Sequence, residues 1–394
     1  MHPGLSEPRT KEQWRAYISA RSPGRPELPA RADYDAMTDE ERRPLNRARK
    51  AHHSALILVE APQVKRLHRQ MGKKLTLNEY APAGARLGVV IDGPPTVGKS
   101  TLVKWFGANF ENELRELYPE RFDQKGADYT PVVYVSVNAG ATPKMLSASL
   151  AEYMNLRIRS GANISEITNR VLDAFEKCGV RLVIIDDVHF LDLSYKEGRL
   201  VNDHLKYLAN YSAATFIYAG VDVEESGLFL EGKMRSTRSD SEQYRVRATQ
   251  TSDRFTCLEL KPFSTDGINN ARELALVVET MESALVLFDH EPKSLRKHLR
   301  HLQRRTGGSI RHLSALIREA ANDAIDTGTE SITLELMDDI ILSKHIEDQN
   351  RLEVARERAL QRKGNSTRAA RLAGKSGKTG KGKNRAEKSS AVSA

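Results

Sequence analysis

Gly93-Pro94-Pro95-Thr96-Val97-Gly98-Lys99-Ser100 is the stretch on which the fold turns. It follows the apolar run Gly88 to Ile91 and precedes the helix-like segment Thr101 to Asn109, so a strand, a glycine-bounded loop and a helix are expected in that order. The spacing matches GxxxxGK[ST] without adjustment. Glycines let successive backbone N–H groups curl around a phosphate, and the helix that follows adds its positive N-terminal end to the same anion. The Lys99 ammonium is then placed to reach the β- and γ-phosphates of a nucleotide, and the Ser100 hydroxyl to ligate magnesium. Gly93, Pro94, Pro95, Thr96, Val97, Gly98, Lys99, Ser100 and Thr101 are accordingly the expected nucleotide-binding segment. The bland alternative is a glycine turn before a helix, which the strand-loop-helix setting disfavours.

A nucleotide site of this kind needs a second motif, an apolar strand ending in an acid that faces the magnesium shell. Arg181-Leu182-Val183-Ile184-Ile185-Asp186-Asp187 supplies it. Asp186 is the expected metal-side carboxylate, and Asp187 the residue that positions and deprotonates an attacking water. An aspartate is one methylene shorter than the glutamate common at that place, and slow hydrolysis of ATP follows, because positioning dominates phosphoryl transfer. His189 either relays or senses the γ-phosphate, or packs the loop.

Working outward, five β-rich runs (Leu87 to Ile91, Val132 to Val137, Leu182 to Ile185, Thr215 to Tyr218, Phe255 to Leu260) are separated by stretches long enough for crossovers. That alternation predicts an α/β fold with a five-stranded parallel sheet. After Pro262 only helical patterns remain, over Ile268 to Thr280, Leu295 to Arg305, Ile310 to Thr327 and Leu334 to Ser343, which reads as a helical lid. Upstream, apolar positions from Leu56 to Met71 fall at helical spacing and suggest a helix from about His52. The organisation expected is a polar N-terminal extension with no core of its own (1–51), a phosphate-loop core (52–262), a helical lid (263–350) and a disordered basic tail (351–394).

The net charge of +9 lies wholly in the tail: from Gln361 onward ten Lys and Arg residues face one acid, leaving 51 basic and 51 acidic residues in the rest. So polar a tail buries too little apolar surface to offset its chain entropy. It reads as a flexible arm that grips phosphates, or as a solubilising tail. No run approaches the roughly 20 apolar residues of a bilayer span, and no apolar leader opens the chain, so a cytoplasmic, membrane-free protein is expected. The two cysteines, Cys178 and Cys257, lie beside apolar runs without metal-ligand spacing and read as small core residues.

The order of these parts resembles the AAA+ ATPases, and more closely the TniB/TnsC-type ATP-binding regulators of DNA transposition, over roughly residues 52 to 345. The sharper elements of the resemblance are IIDDVHFLD (184–192), NDHLKYLAN (202–210), ATFIYAGVDVEESGL (214–228) and RRTGGSIRHLSALI (304–317). It implies ATP and Mg2+ as cofactors, double-stranded DNA and a DDE-type transposase as partners, and a homo-oligomeric ring or filament formed on ATP binding. It also implies a polar sensor after the fourth strand. This chain has Ala219-Gly220-Val221-Asp222 there, without the usual threonine or asparagine, which leaves Asp222 as the nearest polar residue. Arg254 falls where such proteins place an arginine that reaches a neighbouring subunit's site, and Arg311 where a lid arginine meets the γ-phosphate.

Arg235, Arg238, Arg245 and Arg247, in the polar stretch before Arg254, are candidates for DNA phosphate contact, as is Lys144 after the second strand; solvated surface charge is the alternative. The function these features suggest is an ATP-dependent, DNA-bound regulator of transposition. A nucleotide-gated switch acting on a protein partner, or an initiator- or helicase-loader-like ATPase, are the alternatives. If the tail grips DNA, removing residues 361–394 flattens the dependence of log affinity on log salt; an unchanged slope excludes it from phosphate contact.

Overall fold

The runs of branched and aromatic residues form the strands β1 (Gly88–Asp92), β2 (Val132–Ser136), β3 (Leu182–Asp186), β4 (Thr215–Ala219) and β5 (Phe255–Glu259). All pair in parallel, in the order β2-β3-β4-β1-β5. The computed structural model describes residues 6–55, 58–82, 86–123, 128–191, 197–223 and 255–352. β3 and β4 are buried at every position, as expected of parallel strands covered on both faces, which is why they read as continuous apolar runs rather than alternating ones. β5 lies at the sheet edge and buries only Leu258, so Cys257 is exposed; Cys178, at the C-terminal end of the helix Ile164–Lys177, is half-buried against the core. The expectation that both cysteines are core residues is thereby corrected for Cys257.

Helices α1 (Lys11–Ser19), α2 (Arg31–Ala36), α3 (Asp39–Ser54) and α4 (Pro62–Glu79) precede the sheet. Between strands run α5 (Lys99–Leu117), α6 (Pro119–Asp123), α7 (Pro143–Tyr153), α8 (Ile164–Lys177) and α9 (Glu197–Tyr211). The helix expected from about His52 is instead broken: α3 ends at Ser54 and α4 starts at Pro62. Proline has no N–H to donate and keeps the preceding residue extended, so it opens a helix more readily than it continues one. The lid comprises α10 (Ile268–Ser283), a 3-10 turn (Ser294–His298) leading into α11 (Leu299–Thr306), α12 (Ile310–Asp326) and α13 (Leu334–Asp339). This compact unit extends from Met1 to Leu342; a second unit begins at Ser343, helical over 344–352, and the tail from 353 lies outside the described residues. No described helix is long and apolar enough to cross a membrane.

The N-terminal stretch is not the coreless extension its composition suggested. Trp14 on α1 is 1% exposed and joins the main core, with its ring stacked on Tyr134 at 5.7 Å and its indole N–H donating to Glu111 at 2.8 Å. Farther on, α3 docks on the lid: the fully buried Arg49 guanidinium pairs with Glu330 and donates to the Val286 carbonyl at 3.0 Å. A low count of apolar residues hid this, because a few side chains, among them Trp14, Tyr34, Arg49 and His53, carry the burial. Trp14→Ala is expected to cost about 3–5 kcal/mol, measured by chemical denaturation; a loss within error of zero would mean α1 is not part of the cooperative unit.

Candidate functional site

Parallel pairing brings all five strand ends to one edge, and the two sequence motifs meet there. β1 delivers the phosphate loop and β3 delivers Asp186 and Asp187; in-register pairing sets Ser136 of β2 beside Asp186. The loop turns through positive φ at Gly93 (149°), Thr96 (67°) and Gly98 (98°). A side chain at Gly93 would place its Cβ 2.3 Å from the Leu260 carbonyl oxygen, and one at Gly98 would press on Ile310 of the lid at 3.0 Å. Glycine is needed at both for conformation and for space.

Lys99 opens α5 and is 8% exposed, with its ammonium donating to the Gly93 and Pro94 carbonyls at 2.8 Å each. Burial lowers its pKa, while Asp92, Asp186, Asp187 and Asp222 pull it back up. Asp186 is 1% exposed. Its pKa is raised by burial and by the charge of Asp187, against hydrogen bonds from Ser100, Tyr134 and the Asp187 N–H. A buried carboxylate that is costly to keep ionised, with the Ser100 hydroxyl already on it, suits a hard divalent cation. Asp187 sits in the left-handed region (φ 58°) and accepts from the Ser136 hydroxyl at 3.0 Å. A side chain held in that way can be aimed at a water.

The lid closes on the loop through backbone and hydroxyl contacts. The Ser309 hydroxyl caps α12 and lies 2.9 Å from the Thr96 carbonyl oxygen and 3.0 Å from its hydroxyl, and the Arg311 N–H donates to the same carbonyl at 3.4 Å. These contacts hold Thr96, a β-branched residue at positive φ, in a conformation it would not adopt alone. Gly308 makes the seam tight, since a Cβ there would fall 1.9 Å from the Phe263 carbonyl oxygen. Arg311 is thus anchored beside the loop by its backbone, with an exposed side chain.

Of the remaining sequence candidates, Asp222 is exposed at positive φ (49°) and lies within electrostatic reach of Lys99 and His189. The His189 ring accepts from the Val221 N–H at 3.4 Å and its pKa is lowered by burial, so it braces the loop after β4. Lys144 is exposed in the first turn of α7. Arg235, Arg238, Arg245, Arg247 and Arg254 lie outside the described residues. Sequence reasoning missed Asp92, whose carboxylate accepts from the Gly93 N–H at 2.7 Å and the Val223 N–H at 3.2 Å, tying the loop to the end of β4. It also missed Ser136 and Tyr134, which a β2–β3 pairing drawn from the strand pattern would have placed beside Asp186.

The sheet order, the phosphate loop, the acidic strand end and the helical lid together define a P-loop AAA+ ATPase fold. Within it, residues 49–228 match the family model described as bacterial TniB protein. Among solved structures, the chain is similar to the Aeropyrum pernix ORC1 protein in complex with DNA (14% identity over 79% of this chain and 70% of that one, TM-score 0.51). It is also similar to the Aeropyrum pernix ORC2 protein in its ADPNP-ADP complexes (16% identity, 73% and 69% covered, TM-score 0.48). No curated protein sequence matches it. Removing the Ser309 hydroxyl (Ser309→Ala) is expected to weaken binding of an ATP analogue about fivefold by loosening the lid seam; calorimetric titration giving wild-type affinity would show that the seam does not serve the site.

Proposed function

We propose that this protein is an ATP- and Mg2+-dependent regulator of DNA transposition, which assembles as a ring or filament on double-stranded DNA and there recruits or activates a DDE-type transposase. The observation that carries the reading is the TniB match over a region whose two nucleotide motifs converge at one sheet edge. The phosphate loop binds the nucleotide through its turned backbone and Lys99. Ser100 and Asp186 would hold magnesium, which would supply neutralisation of phosphate charge. Asp187, steadied by Ser136, orients and deprotonates the attacking water. Arg254 from a neighbouring protomer completes the site, and Asp222 and Arg311 report the state of the γ-phosphate to β4 and the lid.

Two features favour a switch over a fast enzyme. Aspartate at 187 reaches less far than glutamate, and the lid meets the loop at Thr96, so bound nucleotide and lid position are mechanically linked. ATP then stabilises protomer contacts, and slow hydrolysis resets them. Lys144 and the arginines of the 231–251 stretch, with the basic tail, supply phosphate contacts to DNA in the cytoplasm.

With ATP present at low salt, a mobility-shift assay is expected to retain duplex DNA, and retention is expected to fall without nucleotide; failure to bind under the first condition rejects the DNA part of the proposal. Lys99→Ala is expected to abolish ATP-dependent assembly in sedimentation or electron microscopy. Normal ATP-dependent oligomers from that variant refute the switch.

A further inference from the structure

A chain of hydrogen bonds leads from the nucleotide site to the first described residues of the protein. Ser100 bonds Asp186. The Tyr134 hydroxyl lies 2.9 Å from Asp186 Oδ2 and 2.5 Å from Glu7 Oε1. The Lys104 ammonium, on α5 one turn beyond Lys99, donates to both Glu7 oxygens at 2.9 and 3.0 Å. Tyr134 is fully buried and Lys104 is 3% exposed, so Glu7 is the counter-ion that permits an ammonium in the core. The arm is also held elsewhere, by Trp14 to Glu111, Arg15 to Asp128 at 2.8 Å and Arg9 to Glu152 at 3.1 Å. Among the described residues of the arm, Trp14 stacks on the Tyr134 ring and Glu7 accepts the hydrogen bond from its hydroxyl.

A phenol has one proton and here faces two carboxylate acceptors. It can donate to one at a time. A cation held by Asp186 competes for that carboxylate's lone pairs, and the Tyr134 proton then turns to Glu7. We propose that Tyr134 is a positioning residue that couples cation loading at Asp186 to docking of the N-terminal arm, residues 6–19, through Glu7. Magnesium with nucleotide tightens the arm's first residues, and by reciprocity the docked arm favours the cation. This coupling rests on the nucleotide reading above. It makes the arm a reporter of the loaded site on the β2 side of the sheet, away from the lid.

The test is hydrogen–deuterium exchange of the full-length protein, followed in peptides covering residues 6–14, with a non-hydrolysable ATP analogue in either magnesium or EDTA. Nucleotide occupancy is read in parallel with a fluorescent analogue. Magnesium is expected to slow exchange of these amides about fivefold, the effect of one hydrogen bond of ordinary strength. Tyr134→Phe, which keeps the ring and its stacking, is expected to abolish that difference while still binding the analogue in EDTA, and Glu7→Gln to reduce it. In Tyr134→Phe the gain in nucleotide affinity conferred by magnesium is expected to shrink by the same factor. Exchange indifferent to magnesium in wild-type protein that binds the analogue overturns the coupling alone, and a magnesium effect that survives in Tyr134→Phe removes Tyr134 as the link. Absence of nucleotide binding in the wild type overturns the nucleotide reading and this inference with it.

Discussion

A single ammonium among carboxylates is the constraint on which this structure depends. Lys99 is nearly buried at the carboxyl edge of the sheet with Asp92, Asp186, Asp187 and Asp222 within electrostatic reach, and burial lowers its pKa. Those acids oppose that shift, while burial and the charge of Asp187 raise the pKa of Asp186, which favours further positive charge beside it. A parallel sheet is what lets them gather: strands far apart in sequence all end at one edge, and connecting loops bring their first residues to the same place. The loop geometry, the position of α5 and the seam with the lid all serve to hold that ammonium where a phosphate can reach it.

The lid and the loop meet through Thr96, whose strained backbone is held by Ser309 and the Arg311 N–H. Strain maintained by a second structural layer is a natural place for a switch, because anything that reshapes the loop is felt at α12. The N-terminal stretch adds a second brace. Its first helix packs Trp14 into the core beside β2, and its third places Arg49 against Glu330 in the lid. The N-terminal stretch therefore touches both the sheet core and the helical lid.

Contiguous motifs and regular spacing are legible in the sequence. The phosphate loop needs its residues contiguous, and the acidic strand needs only an apolar run and a terminal carboxylate, so both were visible in a few residues. The five strands and four lid segments followed from periodicity, with errors where local chemistry intervened: Pro62 opens a helix that the apolar spacing would have begun earlier, and the lid segment from Leu295 begins as a 3-10 turn before α11. Composition misjudged the first fifty residues, because an average over many polar residues conceals the few that are buried. Edge position decided the exposure of Cys257, and no property of its neighbours in sequence reports which strand is an edge.

The sequence by itself determined the class of the fold, the phosphate-loop motif, the apolar strand that ends in Asp186, and the helical character of the C-terminal part, because each is written in contiguous residues or regular spacing. Only the tertiary structure decided which side chains stand behind those motifs. Asp92, Ser136, Tyr134 and Glu7 owe their places to the strand order β2-β3-β4-β1-β5 and to an arm that folds back over β2. A hydrogen bond between residues 127 apart in the chain, such as that from Tyr134 to Glu7, has no local signature. It exists because the sheet and the packing of Trp14 bring the two ends together.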